Sequence, residues 1–235
     1  MLMNTFVSRA LLFLCCAAAG RAATAGTDTF QVVLAGSVLG TLTYETDPDD
    51  GDRPAALGTN LDNTPLGVFD GTWETTSRPA RTEAGELVMQ YLSTTASSRK
   101  NRVISILHAD GRVLQTTVDP LDDATELSQA DRVPAGVLDP VEAFGRVVSA
   151  SGCPEPFRIY DGRRVVEVST TGSEQGSGTL TCQVAYQVTA GPGILSPFRF
   201  NSFYSELTYD VTSGAARVIE AEISASIFTV RLVRR

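Results

Sequence analysis

Residues 137–164 read VLDPVEAFGRVVSASGCPEPFRIYDGRR, and this stretch decides the fold because it sets a helix, a cysteine and a tight turn in succession. Asp139 stands at an N-cap position, Pro140 at the first helical position, and Glu142 where a capping box needs its reciprocal acceptor. Val141, Phe144, Val147 and Val148 recur at helical spacing and give the segment one apolar face. Gly152 and Pro154 stop it. Beyond Cys153, residues 157–160 and 163–170 are strand-like runs on either side of Asp161-Gly162, a pair that supplies the positive backbone dihedrals of a hairpin turn.

Outside that stretch the pattern is β throughout. Residues 102–108 and 112–118 form a second hairpin through Ala109-Asp110-Gly111. Residues 179–190 read as a long strand with Leu180, Cys182, Val184, Tyr186 and Val188 on one face. Runs at 29–34, 38–45, 68–76, 87–94, 198–211, 215–224 and 227–233 bring the total to twelve strand-like runs against one helix. In 38–45, simple alternation sets Leu39, Thr41 and Thr43 against Val38, Leu42 and Tyr44. Residues 47–54, 119–134 and 172–178 read as loops or connectors. The expected fold is mainly β: a single-domain curved antiparallel sheet or open half-barrel over residues 26–235, with one main helix packed across it or plugging its mouth.

Residues 1–25 carry a short basic start, an apolar run at 10–20 and small residues at Ala23-Thr24-Ala25. This predicts a signal peptide cleaved near Ala25 and a periplasmic protein. The apolar run is shorter than the roughly 20 residues of a bilayer-spanning helix. Loss of Arg9 and Arg21 with the leader takes the formal charge from −8 to −10. Such a balance argues against a nucleic-acid partner, whose phosphates require compensating cations. The basic terminus, Arg231-Leu232-Val233-Arg234-Arg235, argues against an outer-membrane barrel, which usually ends in an aromatic residue. Cys15 and Cys16 leave with the leader, so Cys153 and Cys182 are expected to form one disulfide. Closing that loop is worth roughly 3–4 kcal/mol in the chain-entropy model.

Leu138-Asp139-Pro140, Cys153, Asp161-Gly162-Arg163-Arg164, and Cys182 followed by Tyr186 and Gly191 together resemble the exported proteobacterial proteins grouped as domain-of-unknown-function family 3108. The match covers residues 133–193 well and is loose elsewhere; Val141-Glu142-Ala143 departs from the serine and alanine usual there. The resemblance implies an envelope protein shaped like the lipoprotein-carrier half-barrels, with an apolar lining and no established activity.

Few residues offer chemistry. His108, the only histidine, ends a strand beside a hairpin turn and is read as a surface residue. No Gly-x-Ser-x-Gly elbow supplies a nucleophile, and pairing both cysteines leaves a zinc site short of ligands, so no catalytic residue, metal or cofactor is expected. Arg163 and Arg164, joined by Arg158, either grip an anionic head group or brace the Asp161-Gly162 turn. Phe198, Phe200 and Tyr204 are expected on one face, opposite Phe203 and Tyr209, and with Phe144 they form a candidate apolar groove. The leading expectation is a non-catalytic binder or carrier of a lipid or other hydrophobic molecule. The alternative is a module that docks another envelope protein.

Overall fold

A computed structural model describes residues 26–50, 53–64, 70–97, 100–194, 199–214, 216–226 and 228–235. The expected leader at 1–25 and Phe198 of the expected groove lie outside the described residues. Strands β1 (Thr27–Leu34), β2 (Ser37–Thr46), β3 (Pro54–Leu61), β4 (Gly71–Arg81), β5 (Leu87–Ser97), β6 (Asn101–Ala109) and β7 (Arg112–Asp119) form one meander. The two-residue β8 (Val137–Leu138) pairs parallel to β9 (Phe157–Tyr160), the one parallel pairing among the described residues, and β9 begins a second antiparallel meander through β10 (Val165–Gln175), β11 (Thr179–Ala190), β12 (Ser202–Asp210), β13 (Arg217–Ala225) and β14 (Phe228–Arg234). Helix α1 (Pro140–Val148) lies between β8 and β9.

The two meanders join where β1 pairs antiparallel with β14, making one sheet of fourteen strands in the order β7 through β1, then β14 through β8. Arg234 fastens this seam: its buried side chain pairs with Asp28, donates to the Val218 carbonyl at 2.6 Å and lies over the Phe30 ring at 5.0 Å. At the far ends the sheet curls until β7 faces β9, nearly closing a barrel. The gap holds three single 3-10 turns, Leu121–Asp123, Glu126–Ser128 and Ala130–Arg132. Tyr160 OH donates to the Leu127 carbonyl at 2.5 Å and lies 3.0 Å from Thr116 Oγ1, while Gly136 N donates to Gly111 O at 2.7 Å.

Strand alternation sorts the two faces. Cys182, Leu207, Ala221, Leu232 and Val32 lie side by side across five strands, all buried inside. One residue along, Gln183, Glu206, Glu222 and Arg231 form an exposed row outside. An apolar interior with a charged exterior is the reverse of the lipid-facing pattern of a membrane barrel. Among the described residues no helix is long and apolar enough to cross a membrane.

Helix α1 enters one end of the barrel, as its apolar face requires. Phe144 meets Phe30 edge-on at 5.9 Å and Tyr44 at 5.4 Å, and Tyr209 OH donates to the Val147 carbonyl at 3.0 Å. The Cys153–Cys182 disulfide, with Cα atoms 5.5 Å apart, ties the chain leaving the helix to β11.

The departures from expectation have local causes. Strand β3 is not among the expected strands, since Ala55, Ala56, Gly58 and Asn60 are poor strand formers; pairing with β2 on one side and β4 on the other overrides propensity. β4 runs on through Pro79 because β3 pairs with it only as far as Thr76, leaving one edge without a ladder donor to lose. In β2 a bulge sets Val33 opposite Val38 and Val32 opposite Gly40, so Leu39 is skipped and turned inward alongside Leu42 and Tyr44 while Val38 is exposed.

Gly145 is the point where α1 comes nearest the wall. A Cβ there would sit 2.2 Å from Pro54 Cγ and 2.8 Å from Tyr44 Oη. Gly145→Ala should therefore destabilise the protein by about 1–3 kcal/mol despite alanine's better helix propensity. Urea unfolding measures this, and an unchanged or raised midpoint would show that the helix is not seated against Pro54.

Candidate functional site

Two apolar cavities occupy the barrel interior. The inner one, about 190 Å³, lies beneath α1 and is bounded by Phe30, Phe144, Val147, Tyr186, Phe203 and Leu207 among others. Tyr186 and Phe203 stack there with centroids 4.5 Å apart. The outer one, about 330 Å³, lies toward the opposite end, walled by Leu34, Leu39, Leu61, Thr95, Phe200 and Val230. Trp73, the only tryptophan, borders both cavities and donates its indole N–H to Ser93 Oγ at 2.9 Å. The outer volume reaches the lower end of the roughly 300–1,000 Å³ typical of small-molecule pockets.

Of the expected groove residues, Phe144 borders the inner cavity and Phe200 the outer one. Tyr204 does not join them. It points outward at 62% exposure, and its neighbour Phe203 takes the inward position. The reason is that Phe200 precedes β12, held in a short antiparallel bridge to Ile194, so counting alternate residues back from Tyr204 crosses a break in the strand.

His108 is not at the surface. It is 7% exposed, and shares the inward face of β6 with Ile104 and Ile106. Its Nε2 lies 3.1 Å from Asp139 Oδ2, the same oxygen that accepts from Ser77 Oγ at 2.6 Å. Asp139 Oδ1 accepts from the backbone N–H groups of Val141 and Glu142 at 2.8 and 2.9 Å. One carboxylate thus caps α1 and binds it to β4 and β6. Glu142 completes the capping box.

The donor atoms of His108, Asp139 and Glu142 lie within 4.8 Å of one another, a spacing compatible with a metal. Asp139, however, already accepts four hydrogen bonds, so a cation would have to displace those that hold the helix. Nor is this a nucleophilic triad: Ser77 bonds to the acid rather than to the imidazole that would activate it.

Burial alone would push the His108 pKa down, but the hydrogen bond it donates to Asp139 and the charges of Glu142 and Asp139 outweigh it and hold it above the ordinary 6.5. Burial raises the Glu142 carboxyl above 4.5, and the Asp139 charge adds to this; His108 and Arg53, itself paired with Asp47, oppose it. A proton is thus held more tightly in the folded state at both groups.

The three arginines offered either as a head-group contact or as a brace for the turn are turned to the protein itself. Arg158 donates to the Ala135 carbonyl at 2.8 Å, and Arg163 Nε to the Asp123 carbonyl at 2.5 Å. Arg164 pairs with Asp161 at 2.9 Å and donates to the Gly193 carbonyl at 2.6 Å. Asp161 Oδ1 meanwhile accepts from the backbone N–H groups of both Arg163 and Arg164, bracing the turn.

Comparison of the chain with family models, with curated proteins and with solved structures yields no match.

Because the folded pKa values of His108 and Glu142 exceed the unfolded ones, their contribution to stability is complete below the unfolded value and is lost as pH rises through the folded value. With one histidine in the chain, the urea midpoint should fall as pH rises above 6.5, and His108→Gln should flatten that fall. A midpoint that stays level or climbs over that range in the unaltered protein would contradict the arrangement.

Proposed function

We propose that this protein is a non-catalytic periplasmic binder or carrier of a hydrophobic molecule, exported by a leader removed near Ala25. The observation that carries the reading is the apolar outer cavity, which shares Trp73 as a wall residue with a second cavity under α1. A well-packed domain fills such space with side chains; voids wider than a few methyl groups cost stability unless something occupies them. The Cys153–Cys182 disulfide suits an oxidising compartment. The resemblance to the exported family of unknown function points to the same compartment and the same general shape. Catalysis is not part of the reading, since His108 and Asp139 are engaged in holding α1 to the wall.

A docking role draws on a different feature, the exposed Leu92, Val103 and Leu114 on the outside of β5, β6 and β7. The two readings separate in one experiment. The neutral probe N-phenyl-1-naphthylamine should bind inside with one-to-one stoichiometry and quench Trp73. Thr59 lies directly opposite Trp73 on the inward face, so Thr59→Phe should weaken binding roughly tenfold, the scale of one or two lost apolar contacts. Thr94→Phe, on the exposed face of β5, should leave it unchanged. Loss of binding with Thr94→Phe and none with Thr59→Phe would place the probe on the outside and favour docking.

A further inference from the structure

Strand register places a charged side chain inside the barrel, where alternation calls for an apolar one. Phe30, Leu42, Thr59, Trp73, Thr95 and Arg102 are successive partners across β1 to β6, and partners directly opposite project from the same face. Thr59, Trp73 and Thr95 wall the outer cavity. Arg102 is the next member of that row, two strands from Trp73 and therefore roughly 10 Å away. Its side chain is 17% exposed. Lys100, the only lysine, reaches the same place from the rim: its backbone N–H donates to the hydroxyl of Ser97, another wall residue, at 3.0 Å.

These cations converge on one internal anion. Asp123 accepts from Lys100 Nζ at 2.5 Å through Oδ1 and from Arg102 Nε at 2.6 Å through Oδ2. Arg163 adds a third cation against the Asp123 backbone carbonyl. The connector is pinned there by Thr125 Oγ1 donating to Arg163 O and Ser128 Oγ to Gly162 O, both at 2.9 Å. Burial, and after it the charges of Arg102 and Arg164, lower the Arg163 pKa, while Asp123 and Asp161 oppose them. A single carboxylate is thus bracketed by an ammonium and a guanidinium at the edge of an apolar chamber, with further positive charge beside it.

We propose that the outer cavity takes a single-chain amphiphile with a compact anionic head, a carboxylate or a phosphate monoester. The tail lies along Trp73 and Leu61, and the head is held by Lys100 and Arg102 in place of, or beside, Asp123. This deepens the hydrophobic-carrier reading and rests on it. It also sets the head-group contact apart from Arg158, Arg163 and Arg164, which the sequence offered as a head-group contact or as a brace for the Asp161-Gly162 turn. Charge-assisted hydrogen bonds to such a head are the strong kind, and arginine is suited to bind it in two-pronged fashion.

The test is displacement of bound N-phenyl-1-naphthylamine from the full chain, read through Trp73, by hexadecanoate, hexadecyl phosphate and 1-hexadecanol below their aggregation limits. The two anions should compete at least tenfold better than the alcohol, the scale of one charge-assisted hydrogen bond. Asp123→Asn removes the internal competitor and should tighten the anions several-fold while leaving the alcohol unmoved. Arg102→Gln should weaken only the anions, and the order of the two anions then identifies the head. Equal competition by acid and alcohol, unshifted by Asp123→Asn, overturns the head-group assignment while sparing the carrier reading. Failure of every hexadecyl compound, alcohol included, overturns both.

Discussion

Everything inside this barrel depends on the carboxylate of Asp139. A sheet of fourteen strands rolled this far leaves an end that must be closed, and the only α-helix among the described residues has nine residues. A helix that short is marginal by itself. Asp139 gives it an N-terminus by accepting two of its orphan backbone donors, and the same carboxylate takes hydrogen bonds from Ser77 on β4 and His108 on β6. Local capping and tertiary anchoring are thereby the same interaction, so the helix cannot fray at its start without releasing two strands. At the other end, Tyr209 holds the last turn and the disulfide holds the chain beyond it.

The consequence is a molecule with two unlike ends. One is closed by α1, with Phe144 wedged between Phe30 and Tyr44 and Gly145 pressed on Pro54. Toward the other, the interior holds the larger cavity, and the Lys100, Arg102 and Asp123 cluster adjoins its wall residues Thr95 and Ser97. Apolar depth with charge set beside it is the arrangement that the proposed amphiphile requires. A chain with a formal charge of −8 still gathers these cations on one margin, and solubility alone does not require that arrangement.

The sequence carried the parts of the fold that are encoded locally. The capping box, the Asp-Gly hairpins and the long strand β11 were legible because each is a short-range signal, and the pairing of Cys153 with Cys182 followed from counting. What was missed is non-local. Ser77 and His108 are 62 and 31 residues from Asp139, and no spacing rule joins them; His108 next to a turn reads as exposed until the inward face of β6 is known. The bulge opposite Val32 and Val33 defeated alternation at Leu39, and a break before β12 exchanged Tyr204 for Phe203. Arg102 was passed over for the more conspicuous Arg163-Arg164 pair, because only register reveals that it shares a face with Trp73.

The most direct measurement is amide hydrogen exchange on Asp139→Ala. If one carboxylate both caps the helix and fastens it to the wall, protection should collapse over residues 143–148 and fall at β4 and β6 around Ser77 and His108. The β11–β12 and β12–β13 pairings, which Asp139 does not touch, should stay protected. A helix that keeps its protection after this substitution would contradict the claim that Asp139 holds it in the barrel.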